Sequence, residues 1–118
     1  DDITVSPKPP SSTMTTDIEQ LARFMKRLPS AQTTLKVVVF DEADFQFAER
    51  IHQQFPHLDF YIQPGNGALQ EQDERKMTNY LISSYERLIE RTIRSTILRD
   101  VRVLPQLHAL VWGNRRGV

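Results

Sequence analysis

Short β-branched runs alternating with stretches of helical apolar spacing predict an α/β fold, with one parallel sheet of about four strands and three to four helices. Three observations carry this. The order is strand then helix, repeated along the whole chain. Leu35-Lys36-Val37-Val38-Val39-Phe40 is a nearly continuous apolar run, the pattern of a parallel strand covered on both faces. Prolines or glycines stand at the ends of most elements, where they stop ladders and helices.

The first strand is Ile3 to Val5, stopped by Ser6-Pro7-Lys8-Pro9-Pro10-Ser11-Ser12, whose prolines have no N–H to donate. Thr16 with Glu19 fits a capping box, and Ile18, Leu21, Ala22, Met25 and Leu28 recur as one helical face that Pro29 ends. After the Leu35–Phe40 strand, Asp41 is placed to cap a helix striped by Phe47, Ala48, Ile51 and Phe55 and closed by Pro56. Phe60-Tyr61-Ile62 is a third strand that runs into a Gln63-Pro64-Gly65-Asn66-Gly67 turn. A long helix follows from about Asp73 to Ile97. Met77, Leu81, Ser84 and Leu88 form one of its faces and Ile82, Tyr85, Ile89 and Ile93 a second, and a helix apolar on two sides contacts two things. Val101 to Leu104 is the fourth strand, and Pro105 to Trp112 a short helix or turn with Trp112 as a core anchor.

At 118 residues, with no repeat and no boundary signal, residues 1–118 form a single domain. Lys plus Arg and Asp plus Glu balance at 15 each, so the electrostatic attraction behind non-specific nucleic-acid binding is absent. No apolar run is long enough to span a bilayer and no signal segment opens the chain, so a soluble chain is expected, cytoplasmic and without a membrane partner. The chain has no cysteine, and therefore no disulfide, thiolate nucleophile or cysteine-ligated cluster of its own. It enters a strand within two residues of Asp1, without an initiator Met, as a piece of a longer chain would.

In parallel α/β sheets ligands gather beyond the carboxyl ends of the strands. That rule selects Ser6 and Lys8, Asp41 and Glu42, Gln63 and Asn66, and Gln106 and His108. Each also has a plain structural reading. Ser6-Pro7-Lys8 could be a proline-stiffened turn, Asp41 and Glu42 a helix cap, Gly65-Asn66-Gly67 a turn and His108 a hydrogen-bonded structural histidine. His52 and His57 have no partners at metal-ligand spacing, and Arg115 and Arg116 fit either a solvated pair or an anion contact.

Three segments taken together resemble the 7-carboxy-7-deazaguanine synthase family of the radical S-adenosylmethionine (SAM) superfamily, in its Bacillus form. They are Ile3 to Ser12, Leu35 to Phe40, and Val101 to His108 continued by Trp112-Gly113-Asn114-Arg115-Arg116-Gly117-Val118. The resemblance implies the carboxy-terminal half of a partial (β/α) barrel. It implies an enzyme that converts 6-carboxy-5,6,7,8-tetrahydropterin to 7-carboxy-7-deazaguanine by ring contraction with loss of ammonia, on the route to queuosine. The cofactors implied are SAM, a 4Fe-4S cluster and Mg2+, and the assembly implied is a homodimer. In that family the cluster ligands are three cysteines near the amino terminus, so this chain alone is expected to hold no cluster and to be inactive. Carried over residue by residue, the resemblance assigns SAM to Ser6, Pro7, Lys8, Gln63, Pro64, Gly65 and Asn66, and the substrate to His108 and the terminal carboxylate of Val118. A Lys and a Ser suit the carboxylate and ribose hydroxyls of SAM, and a terminal carboxylate suits the paired N–H donors of a pterin. The alternative is a non-catalytic binding or dimerisation module with the two-faced long helix as its partner surface.

Overall fold

The computed structural model describes residues 2–12, 17–65 and 73–105. Four strands, β1 (Ile3–Val5), β2 (Thr33–Val39), β3 (Asp59–Pro64) and β4 (Arg102–Val103), lie side by side in the order β1-β2-β3-β4, with every neighbouring pair parallel. Three helices, α1 (Ile18–Met25), α2 (Glu42–Gln54) and α3 (Glu74–Arg94), connect them. Each connection moves one strand further in the same direction. Residues of all three helices meet Leu35, Val37 and Val39 of β2 and Phe60 and Ile62 of β3 in one core. This is the winding of a (β/α) barrel, since a doubly wound sheet reverses its strand order and carries helices on both faces.

That winding corrects one expectation. β2 is covered on one face only: Thr33, Leu35, Val37 and Val39 are buried, whereas Thr34, Lys36 and Val38 are half-exposed. The register places Asp59, Tyr61 and Gln63 beside those three, and Arg102 beside Tyr61. Among the described residues the second face is a polar, open sheet surface on which Arg102 Nη1 donates to the Tyr61 hydroxyl at 3.1 Å. On the covered face Leu35, Val37 and Ile62 have no exposure. Burying each contributes about 1.5–3 kcal/mol.

The helix starts follow the sequence, with one correction. Asp17, not Thr16, caps α1, its Oδ1 accepting from the amides of Glu19 (2.9 Å) and Gln20 (3.3 Å). Thr16 lies outside the described residues. Asp41 caps α2 by accepting from the Asp44 amide at 2.9 Å, and Asp73 caps α3 through the amides of Arg75 and Lys76. α3 ends at Arg94, three residues before the expected Ile97. There the Ser95 hydroxyl accepts from the Ile97 and Leu98 amides and donates to Glu49 on α2, so a side-chain-capped turn replaces further helix. Met77, Leu81 and Leu88 bury the first face of α3, while on the second Ile82 and Ile93 remain 44% and 65% exposed. Tyr85 ties that second face to the sheet by donating to the Val103 carbonyl at 3.3 Å.

β3 is longer than Phe60–Ile62, and Gln63 and Pro64 belong to it rather than to a turn. β2 keeps pairing with it through Val39 opposite Pro64, and the Gly65 amide adds one more bond to the Val39 carbonyl at 2.8 Å. On the other side Leu104 donates to the Ile62 carbonyl at 2.8 Å. The next bond of that parallel ladder would need an N–H on residue 64, which a proline lacks, so β4 stops there.

Candidate functional site

Because the strands are parallel, their carboxyl ends form one rim. Ser6 to Lys8 leave β1 there, Phe40 to Glu42 leave β2, Gly65 follows β3, and Leu104 and Pro105 follow β4. The sequence-selected residues of the described segments stand on or beside this rim. Ser6 and Lys8 are exposed, and Pro7 and Pro9 between and after them are buried. The prolines anchor the segment while the two polar side chains stay accessible. Gln63 is half-buried on the open sheet face opposite Val38, and Pro64 and Gly65 are buried. Asn66, Gln106, His108, Trp112, Arg115, Arg116 and Val118 lie outside the described residues.

Pro64 and Gly65 line one space whose described lining does not include Ser6 or Lys8. This space of about 330 Å³ lies between the ends of β2 and β3 and the helices α2 and α3, and is lined also by Phe40, Glu42, Phe45 and Arg91. There Arg91 makes a two-bond ion pair with Glu42, Nε to Oε1 at 2.9 Å and Nη2 to Oε2 at 2.8 Å, and its guanidinium lies 4.1 Å over the Phe45 ring. The Arg91 bonds hold the Glu42 carboxyl below its ordinary range, and Glu42 in turn holds Arg91 above its own. Both stay charged through neutral pH. Glu42 is thus occupied by an interhelical clamp rather than by capping, while Asp41 keeps the cap. At Gly65 the Phe40 ring lies so close that a β-carbon would overlap it.

Sequence reasoning missed Asp44. It has no exposure, and its carboxylate accepts from the Ser11 amide (3.0 Å), the Ser11 hydroxyl and the Phe40 amide (2.9 Å). One buried group therefore joins the loop after β1 to the end of β2. The available signal was an acid three residues behind an N-cap, which in a capping box would bond the cap residue's own N–H. Here it reaches Phe40, one residue earlier.

His52 was assigned no site. It lines a space of about 340 Å³ at the opposite ends of β3 and β4 with Asp59, Tyr61, Asp100 and Arg102, and packs against Phe60 with ring centroids 5.0 Å apart. Its Nδ1 is buried and has no hydrogen-bond partner among the described residues, and burial holds the imidazole below its ordinary pKa. Among the described residues no group of three or more His, Asp or Glu side chains is arranged to hold a metal ion, and no helix is long and apolar enough to cross a membrane.

No protein-family model matches the chain. Across all 118 residues it is 46% identical to the 7-carboxy-7-deazaguanine synthase of Bacillus cereus, and over an alignment of 122 positions 41% identical to that of Bacillus subtilis. The chain spans about half, 50%, of the length of each relative. The likeness read from three separate motifs therefore runs through the helices between them as well, and the whole chain is similar to half of a 7-carboxy-7-deazaguanine synthase.

Proposed function

We propose that this chain is the carboxy-terminal part of an enzyme that makes 7-carboxy-7-deazaguanine from 6-carboxy-5,6,7,8-tetrahydropterin. The observation that carries this reading is the similarity to two such synthases in alignments that cover the whole chain. The singly wound parallel sheet supports it by bringing the described strand ends, Ser6 to Lys8, Gly65 and Leu104 among them, to one rim. SAM supplies the radical chemistry of such an enzyme.

The residues at the rim fit SAM by charge and shape. Lys8 is an exposed ammonium suited to a carboxylate, Ser6 an exposed hydroxyl suited to a ribose, and Gly65 a residue without a side chain beside the end of β3. Gln63 offers an amide from the open sheet face. These groups bind and orient. The chain does not fit the cluster: without a cysteine it supplies none of the thiolate ligands, and no step of the reaction is assigned to its residues on that account. The cluster and Mg2+ belong, in this proposal, to the remainder of the polypeptide. So does the closure of the open face of the sheet. His108 and Val118 are proposed for the substrate on the resemblance alone, and the complete enzyme is proposed to be a cytoplasmic homodimer.

The test is direct. The complete polypeptide, reconstituted anaerobically with iron and sulfide and given SAM and reductant, is expected to convert 6-carboxy-5,6,7,8-tetrahydropterin to 7-carboxy-7-deazaguanine, whereas these 118 residues alone are expected to hold no cluster and cleave no SAM. A complete, cluster-loaded polypeptide that leaves this substrate unchanged would refute the assignment.

A further inference from the structure

We infer that Asp44 is the positioning residue of the cofactor side of this site, setting the place of Lys8 from one end and of Gly65 from the other; this rests on the proposal that SAM binds there. A carboxylate with no exposure is costly to bury unless its oxygens are satisfied, and replacing it is correspondingly disruptive. The Asp44 bonds are not those of an ordinary cap, for the α2 amide is met by Asp41 instead. They go outward. Two reach Ser11, 33 residues away in sequence, and one reaches the amide of Phe40.

Their geometry determines what is held. Between Val5, the last residue of β1, and Ser11 lie Pro7, Pro9 and Pro10, each with a fixed φ, and the Ser12 hydroxyl closes the far end on the Pro9 carbonyl at 2.8 Å. With β1 at one end and Asp44 at the other, the segment that carries Ser6 and Lys8 has few dihedrals left to vary. The same carboxylate fixes the Phe40 amide, and the Phe40 ring lies against Gly65. Asp44 thus links the loop after β1 to the end of β2, through Ser11 on one side and Phe40 on the other. A ligand gripped by both meets them already in register, so the ordering cost falls on folding rather than on binding.

The test uses the complete, cluster-loaded enzyme and titration calorimetry with SAM and, separately, with 6-carboxy-5,6,7,8-tetrahydropterin. Asp44→Asn cannot accept from both the Ser11 and the Phe40 amides, and is expected to raise the SAM Kd about tenfold while leaving cluster content and substrate Kd unchanged. Ser11→Ala, at an exposed position, is expected to raise it about threefold, and Ser11→Thr, which keeps the hydroxyl, to restore it. Lys8→Ala is expected to weaken SAM binding, and its effect to shrink in the Asp44→Asn background, because a released loop no longer presents the ammonium. If Lys8→Ala weakens SAM binding but Asp44→Asn and Ser11→Ala leave it within twofold of the parent enzyme, the positioning role is overturned and the cofactor assignment stands. If Lys8→Ala itself changes nothing, the assignment fails and the inference with it. Should Asp44→Asn not fold, the Ser11 pair decides: a threonine that does not rescue what alanine loses overturns the inference.

Discussion

The interhelical clamp between the first turn of α2 and the last turn of α3 is open to a quantitative test through Phe45. The ring is 1% exposed, yet it borders the 330 Å³ space beside Gly65, and the Arg91 guanidinium, which lines the same space, lies 4.1 Å over its centroid. Truncation of a buried Phe to Ala ordinarily costs about 3–5 kcal/mol, the upper part of which comes from a void that the surroundings cannot fill. Here the removed ring would merge with an existing open space that water can enter. Phe45→Ala is therefore expected near the lower end, about 3 kcal/mol, a large share of the roughly 5–15 kcal/mol that holds a domain together. Phe45→Leu keeps most of the apolar volume and loses the π-face, at about 1–1.5 kcal/mol.

The stacked guanidinium is separable from the packing. Arg91→Met leaves Glu42 without its partner, but that carboxylate is 54% exposed, so water takes over and the change costs less than about 1 kcal/mol. In a double-mutant cycle of Phe45→Leu with Arg91→Met the coupling is expected at about 0.5–1 kcal/mol, the size of a partly exposed cation–π contact. Urea unfolding followed by far-ultraviolet circular dichroism gives all four corners. A loss below about 1 kcal/mol for Phe45→Ala would show that the ring is not part of the core, and a coupling of zero that Arg91 is held by Glu42 alone.

Two further outcomes follow from local geometry. Burial lowers the pKa of His52 in the fold, whereas the unfolded chain takes up its proton at the ordinary value near 6.5; stability is thus unaffected by this group above that pH and falls as the pH drops from there toward the lower folded value. Unfolding midpoints between pH 7 and pH 5 should decline more steeply for the parent chain than for His52→Gln, and parallel curves would assign the acid sensitivity elsewhere. Ser95→Ala removes the acceptor of the Ile97 and Leu98 amides, and is expected to cost about 1–2 kcal/mol with no change in SAM affinity; a neutral substitution would mean that water replaces the hydroxyl at this buried turn.

How much of this was legible in the sequence depends on the range of the interaction that decided it. β1 is legible at its observed bounds because a three-residue β-branched run ends at prolines that cannot continue a ladder. The apolar runs mark neither Thr33 and Thr34 as part of β2 nor Gln63 and Pro64 as part of β3, because these residues extend the strands only where a neighbouring strand pairs with them. α3 was drawn three residues too long for a related reason: Ile97 continues the helical spacing, but the Ser95 hydroxyl bonds the amides beyond it and Glu49 across on α2. The rim was predictable, because parallel winding sends every strand end to one side whatever the loops contain. What is bound to what along that rim was not.

Asp41 and Asp44 show the limit most plainly. Both are acids at the start of one helix, and local spacing gives them the same reading, an acid favoured by the helix dipole and by unpaired amides. The fold separates them. Asp41 bonds forward to an amide of its own helix, at 2.9 Å, and that bond frees the Asp44 carboxylate from capping. It can then take the Ser11 and Phe40 donors, a combination decided by where the loop after β1 passes and not by any period in the sequence. An acid behind an N-cap that has already satisfied the helix is accordingly the one whose partner should be sought outside it, most profitably on a loop that carries a candidate ligand group.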